Sequence, residues 1–523
     1  SPLVHRTMAA GPGAPTPAAV PPGPDGPIPA LGRYLSNPPP HILLVKGAPG
    51  AGKTSLLRAL RPAVKGPVLL VAYRATASGA APGAFPAPDP VDVSLLLIDP
   101  DRTGPNDRRE PDLATAVPIS FSAGDLRGAE GVPPALEQAI GRIVRAGGGC
   151  VIVDSWDRSS EEAFDHARAA ERGATSQIVS STRILREMLG RVPVHTVISL
   201  LPAPDPSLES LADGVLELGQ ETVDGATIRV LTVSKLRGEG SLEPDYLYTV
   251  AGGEFAAFPR SSPGFRPPFG PPDPDPGGPD DMIWPGSAAF AAAFGRLRVH
   301  GLTAVELDDE APDRLFDVLA VPLVASVVRA GGRAVVVPSA GVPPAQYAAA
   351  LARFAPTELV QQNVRLLSAG GADARLGDGA PLLLPVRSAP ASREGRAATA
   401  RPAQPMFPEA HEFLRTAPGS GPVLFVVSLD GLEALATVSR RPYDASTFPL
   451  VVTAYGRLAR FHGFGGGRTR SALTRALIPS VDAHLKIRMI RGRSVVLGIR
   501  PRTAAHLLDY AEPDGRYRLR PIA

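Results

Sequence analysis

The residues best suited to chemistry lie in one stretch, 41–60, which reads His-Ile-Leu-Leu-Val-Lys-Gly-Ala-Pro-Gly-Ala-Gly-Lys-Thr-Ser-Leu-Leu-Arg-Ala-Leu. Within it Gly47-Ala48-Pro49-Gly50-Ala51-Gly52-Lys53-Thr54-Ser55 contains a complete match to G-x-x-x-x-G-K-[ST]. Gly47, Gly50 and Gly52 let the backbone curl until its N–H groups converge, and such a loop opening a helix favours a bound anion. Lys53 adds a point charge suited to β- and γ-phosphates, and the Thr54 hydroxyl suits Mg²⁺. A second apolar run, Cys150-Val-Ile-Val, ends in Asp154. A carboxylate there stands at the strand's C-terminal edge, where an open parallel sheet binds its ligand, and Asp154 would hold the magnesium through water. An isolated Asp after a strand would merely cap the next helix. Together the two stretches predict an ATP site, with residues 47–55 on the phosphates and Thr54 and Asp154 on the metal.

That site needs a strand before its glycines and a helix after them. The apolar run 42–45 suits a buried parallel strand, and 54–60 opens a helical pattern. Strands are also predicted over 67–73, 93–98 and 194–200, and helices over 28–36, 133–145 and 161–189. Segments 211–218 and 227–233 flank Asp224-Gly225, a strong hairpin signal. Strands alternating with helices and closed by a hairpin predict an α/β domain over 28–258.

Residues 1–27 read as a flexible arm, with Met8 the expected start, and the proline-rich 75–118 as a loop-rich insertion. Segment 259–285 is too rich in Pro and Gly for a helix or central strand and reads as a linker. The second domain, 286–523, opens with an Ala-rich helical stretch. It carries strands at 334–337, 364–367, 423–427 and 495–499 and a low-complexity insertion at 388–405.

Composition bounds the function. The chain has 523 residues, enough for two or three domains, and its 60 prolines and 54 glycines gather between the apolar segments. A net charge of +3 neither implies nor excludes nucleic acid. One cysteine, Cys150, precludes an intrachain disulfide and a cysteine zinc cluster and fits a reducing cytoplasm, and His166, His195 and His484 have no metal-site spacing. No apolar run approaches membrane-spanning length, so a cytoplasmic protein without a membrane partner is expected.

Several later motifs follow the P-loop in order: Asp154-Ser-Trp-Asp157, Ala212-Asp213-Gly214-Val215 before the hairpin, Lys235-Leu236-Arg237-Gly238, and Tyr246-Leu-Tyr-Thr-Val-Ala-Gly-Gly-Glu-Phe255. Over residues 40–258 the chain resembles the RecA-like ATPases of the KaiC type, and among them it is most similar to the gas vesicle protein D branch. The resemblance implies ATP bound between neighbouring RecA-like domains, often in a hexameric ring, with Lys235 and Arg237 at positions that reach the adjacent domain's phosphates. Two cations one residue apart on a strand end point to the same side, as such a finger needs, although an exposed basic strand end has the same spacing. One departure is plain. KaiC-type ATPases carry paired glutamates after the second strand to activate water, and this chain has Tyr73-Arg74-Ala75 there. Tight ATP binding with slow hydrolysis is therefore expected, with Asp157, Glu161 or Glu162 as substitutes for the missing base.

The second half reads as a worn repeat of the first, so the predicted fold is two RecA-like P-loop domains with mostly parallel central sheets, the second degenerate. The segment from Arg333 to Tyr347 falls where the P-loop would, with no lysine and only Gly341 to help the turn, and Leu424-Phe-Val-Val-Ser428 replaces the strand ending in Asp154. Val481-Asp482-Ala483 parallels Ala212-Asp213-Gly214, and Arg500-Pro501-Arg502 parallels Lys235-Leu236-Arg237. This half is expected to bind no Mg-ATP. Arg500 or Arg502 would reach ATP held by the first domain, or belong to a solvated basic face. The expected function is a nucleotide-dependent regulatory or assembly switch that oligomerises and is read by a protein partner, a regulator or component of gas vesicle synthesis if the resemblance extends to role. The alternative is a recombination mediator on single-stranded DNA. Nucleic acid is not favoured, because the loops after Asp154 and Leu200 are not basic.

Overall fold

The computed structural model describes residues 28–36, 41–60, 63–64, 68–75, 91–98, 119–121, 149–154, 194–202, 209–210, 212–238, 243–258, 272–312, 314–368, 382–384, 407–416, 421–439, 458, 460–509 and 517–522. The predicted helices over 133–145 and 161–189, the arm 1–27, the insertion 388–405 and much of 75–118 lie outside them, as do Trp156, Asp157, Glu161 and Glu162. The chain divides into two compact units. One takes in the described residues of Pro17–Glu221 and Ile228–Pro259, and the other those of Arg260–Ile522 with Thr222–Thr227.

Among the described residues the first unit is a ten-stranded mixed sheet with helices α1 (Pro29–Ser36) and α2 (Lys53–Leu60). Its strands are β1 (Ile42–Gly47), β2 (Val68–Ala75), β3 (Val91–Ile98), β4 (Ile119–Phe121), β5 (Cys150–Asp154), β6 (His195–Leu200), β7 (Gly214–Val223), β8 (Ala226–Leu236), β9 (Asp245–Thr249) and β10 (Ala256–Phe258), in the order β10-β9-β8-β7-β1-β6-β5-β2-β3-β4. The five strands from β7 to β2 run parallel. Leu43, Leu44 and Val45 are fully buried, as a strand covered on both faces of a parallel sheet requires. Asp224 and Gly225 take φ of 49° and 79° and close the β7–β8 hairpin as expected.

The second unit is a nine-stranded sheet of β13 (Gly301–Leu307), β14 (Arg333–Val337), β15 (Val364–Leu366), β16 (Val423–Ser428), β17 (Phe461–Arg468), β18 (Ala483–Ile490), β19 (Arg493–Arg500), β20 (Arg502–Asp509) and β21 (Arg518–Pro521). A short β11 (Met282–Ile283) and β12 (Leu297–Arg298) pair separately. Its helices are α3 (Ala288–Phe294), α4 (Arg314–Arg329), α5 (Pro344–Phe354), α6 (Thr357–Asn363), α7 (Pro408–Arg415), α8 (Leu429–Ser439) and α9 (Ala472–Leu477). The buried α4 and one face of α5 pack with β14 and β16 in the largest apolar core among the described residues.

In the order β15-β14-β16-β17-β13-β18-β19-β20-β21 eight strands repeat the first unit, while at the remaining edge β15 runs parallel to β14 and β3 antiparallel to β2. Strands β14, β16, β17, β13, β18, β19, β20 and β21 stand where β2, β5, β6, β1, β7, β8, β9 and β10 stand. The match extends to single bonds. The Ile42 N–H donates to Asp213 Oδ2 at 3.1 Å and the Asp213 N–H to the Ile42 carbonyl at 2.8 Å. At the same register the Leu302 N–H donates to Asp482 Oδ2 at 2.8 Å and the Asp482 N–H to the Leu302 carbonyl at 2.9 Å. Lys46 lies 3.5 Å from Glu217 on the neighbouring strand, and the corresponding pair, Glu306 and Lys486 at 3.4 Å, has its charges exchanged.

This topology corrects one expectation. The segment from Arg333 is β14, the counterpart of β2, so it does not stand in for the P-loop. That place belongs to the turn after β13, which reads Asp308-Asp309-Glu310-Ala311-Pro312. The sequence does not show this register because β17 carries a weak strand signal. β17 reads Phe-His-Gly-Phe-Gly-Gly-Gly-Arg, and glycine is depleted in strands. Close packing requires it here, since a Cβ on Gly466 would lie 2.5 Å from the Phe316 ring and one on Gly467 2.8 Å from Thr474 Oγ1. Ser428, by contrast, does occupy the position of Asp154, because Ser428 pairs with Gly466 and Val153, one residue before Asp154, pairs with Ile198.

Candidate functional site

β1 ends at Gly47 and α2 begins at Lys53, so the glycine-rich loop sits at the C-terminal edge of the parallel strands. Gly50 and Gly52 have φ of 76° and 92°, a backbone state open chiefly to glycine. Gly47 is needed for a different reason: a Cβ there would stand 2.9 Å from the Leu218 carbonyl oxygen. Leu56, Leu57 and Leu60 bury one face of α2 and anchor it, and the Leu56 N–H donates to the Gly52 carbonyl at 2.9 Å.

The structure brings Thr54 and Asp154 together across a hundred residues of chain. Thr54 Oγ1 donates to Asp154 Oδ2 at 2.7 Å. The second carboxylate oxygen, Oδ1, accepts from Ser199 Oγ at 2.7 Å, and Ser199 is fully buried on β6. The carboxylate is thus held from both sides at the strand edge. Lys53 folds back over the loop, donating to the Gly47 carbonyl and, at 3.3 Å, to the Ala48 carbonyl. Ser55 follows on the first turn of α2, partly exposed, and Ala48, Pro49 and Ala51 complete the loop.

The donor set fits a magnesium ion bound together with a polyphosphate. A hydroxyl and a carboxylate in contact are hard oxygen donors, and Mg²⁺ takes one or two such protein ligands and fills its shell with water and phosphate oxygens. Among the described residues no group of three His, Cys, Asp or Glu could hold a metal without that help.

Among the described residues, side chains outside the motif also reach the loop. Arg229 on β8 donates through Nη1 to the Gly50 carbonyl at 2.9 Å, and Tyr248 on β9 donates through its hydroxyl to the Ala51 carbonyl at 2.5 Å. Val250 closes against Gly52, where a Cβ would meet Val250 Cγ1 at 2.6 Å. The Tyr248 ring stacks on Phe255 with centroids 4.9 Å apart. Burial pushes the Tyr248 hydroxyl above its ordinary pKa, against the opposing pull of Arg229, so it stays a protonated donor. Sequence reasoning missed Ser199, Arg229 and Tyr248. A serine near the end of the apolar run His195–Leu200 was a visible signal, whereas nothing near Arg229 or Tyr248 marks them.

Lys235 and Arg237 are not at this site in their own unit. The Arg237 N–H donates to the Asp213 carbonyl at 2.8 Å and its guanidinium to Asp213 Oδ1 at 3.1 Å, and Asp213 is bonded to Ile42, the first residue of β1. Lys235 Nζ donates to the Ala212 carbonyl at 2.6 Å and the Glu209 carbonyl at 3.2 Å. Both cations therefore occupy the N-terminal edge of the parallel strands, roughly 17 Å along β1 from the loop at ~3.3 Å per residue. Arg500 repeats Lys235, donating to the Val481 carbonyl at 3.0 Å.

Cys150 is wholly buried, its thiol pushed up to about 12, and is an inert core residue. No helix among the described residues is long and apolar enough to cross a membrane. Comparison with known proteins finds no family model and no curated protein that matches this chain.

Proposed function

We propose that the first unit is a RecA-like P-loop domain that binds Mg-ATP, and that the second is a degenerate copy of it that binds none. The observation that carries this reading is the 2.7 Å contact between Thr54 of the P-loop and Asp154 at the end of β5, beneath a loop whose glycines adopt the left-handed backbone. Residues 47–55 would take the phosphates, Lys53 exchanging its loop carbonyls for phosphate oxygens, and Thr54 and Asp154 would hold Mg²⁺, whose charge screens the polyphosphate. In the second unit the corresponding turn is acidic and Ser428 replaces the metal carboxylate.

Hydrolysis is slow on this reading. Ala72 pairs with Asp154, so Tyr73 and Arg74 fall just beyond it on β2, where water activation would need a carboxylate. The protein then acts as a nucleotide-dependent regulatory or assembly switch of the KaiC type, with gas vesicle regulation the process its resemblance suggests. Lys235 and Arg237, at the edge away from their own P-loop, suit contact with nucleotide held by a neighbouring copy in an oligomer. Calorimetry of the full chain with Mg-ATP, beside Lys53→Ala and with turnover and light scattering recorded, tests the reading. Lys53-dependent binding, slow turnover and ATP-dependent assembly support it, and binding indifferent to Lys53 overturns it.

A further inference from the structure

The P-loop motif is complete within nine residues, yet its backbone is held by residues nearly two hundred positions later. Arg229 and Tyr248 grip two successive carbonyls, Gly50 and Ala51, from β8 and β9. In a trans peptide the C=O and the following N–H point in opposite directions. Pinning the Ala51 carbonyl therefore turns the Gly52 N–H away from Tyr248. Pinning the Gly50 carbonyl likewise directs the Ala51 N–H, which donates to the Ala48 carbonyl at 3.1 Å inside the loop. The grip is rigid: Tyr248 is fully buried and stacked on Phe255, and Val250 leaves no room for a side chain at Gly52. Among the described residues no carboxylate pairs with Arg229, so its charge stays beside the loop.

From this geometry we infer that Arg229 and Tyr248 are positioning residues for the phosphate site, a brace on the outer side of the P-loop that presets its inward N–H groups before nucleotide arrives. The antiparallel strands β8 and β9 are then part of the site as well as of the sheet edge. The inference rests on the nucleotide reading above. Preorganised donors bind an anion more tightly because their ordering cost is met in the fold.

The test uses the full chain with Arg229→Ala, Tyr248→Phe, their combination, and Arg229→Lys as the conservative variant. Two readouts are taken: amide hydrogen exchange across 47–55 without nucleotide, and Mg-ATP affinity by calorimetry. The double variant is expected to exchange over 47–55 about tenfold faster while β1, β5 and β6 keep their protection, and to bind Mg-ATP about tenfold more weakly, the scale of a lost charge-assisted hydrogen bond. Arg229→Lys should recover part of both. Unchanged exchange over 47–55, or faster exchange spread equally over β1 and β5, overturns the brace. Faster loop exchange with undiminished Mg-ATP affinity overturns its role toward phosphate. Failure of the nucleotide reading shows separately, as wild type and Lys53→Ala that bind Mg-ATP equally or not at all, and that outcome also overturns the phosphate role, leaving the exchange data to report a purely structural contact.

Discussion

After β1 the chain turns through Gly47, Gly50 and Gly52 into Lys53-Thr54; after β13, at the same place in a matching strand order, it turns through Asp308, Asp309 and Glu310. The first turn keeps its donors and a lysine over an open loop. The second is closed by its own sheet. Arg470 lies 2.5 Å from the Asp309 carboxylate, Arg468 donates to the Asp309 carbonyl at 2.6 Å, and Arg488 lies 3.5 Å from Asp308. What the two units share lies at the opposite edge, where Asp213 and Asp482 tie β7 to β1 and β18 to β13 with the same pair of bonds. A frame held by strand pairing and that aspartate tolerates a reversal of charge in the turn, so fold and site chemistry have separated within one chain.

The strongest way to break this comparison is Lys53→Ala. If the first unit binds nucleotide as proposed, loss of the Lys53 charge should lower Mg-ATP affinity of the full chain by more than about 100-fold, with no residual site, because the second turn has neither glycine nor lysine to receive phosphates and its aspartates already hold Arg470 and Arg488. Calorimetry that still finds one high-affinity site would place binding in the second unit and end the distinction. Next in size, Asp154→Asn keeps the shape that Thr54 and Ser199 contact but removes the negative charge, so Mg-ATP affinity should drop to that of ATP in chelator. A Mg²⁺ dependence left intact would assign the metal elsewhere.

The histidines at matching strand starts sharpen the comparison in stability. Burial pushes His462 down to about 4, against the raising pull of its 2.6 Å contact to the Arg298 carbonyl, and burial followed by His41 lowers His195. Both stay neutral in the fold, whereas the unfolded chain takes up the proton below 6.5. Stability present above pH 6.5 is therefore lost as pH falls toward 4, by about 2 kcal/mol between pH 7 and 5 for His462. Denaturant titrations followed by Trp284 in a Trp156→Phe background should show this fall in the second unit, and His462→Asn should flatten it. A pH-independent midpoint would discard the buried-histidine account.

The smallest effect concerns the exchanged pair. Double-mutant cycles on Lys46 with Glu217 and on Glu306 with Lys486 should give favourable couplings of about 0.5–1 kcal/mol in each unit despite the opposite polarity. Lys46 is held protonated even though burial lowers it, because hydrogen bonding to Glu209 and the charge of Glu217 more than compensate. A coupling in one unit alone would mean that the shared register does not carry a shared interaction.

Features that depend on neighbours along the chain were legible in the residues. Gly50 and Gly52 mark a left-handed turn, Asp224-Gly225 a hairpin, and the apolar runs into Gly47 and Asp154 two buried strands, because backbone freedom and burial on both faces are written in a few adjacent residues. From these the α/β class, the loop and the Thr54–Asp154 pair could be anticipated. Features that depend on register between distant strands came from the assembled fold. It set Ser199 on the far side of Asp154, brought Arg229 and Tyr248 onto the loop, made a strand of the glycines packed on Phe316 and Thr474, and gave Asp308, rather than the segment after Arg333, the place in the second unit's strand order that the P-loop has in the first. Pairing of strands 150 or more residues apart is fixed by summed packing and hydrogen bonding across the whole sheet, and no local stretch of residues encodes that sum.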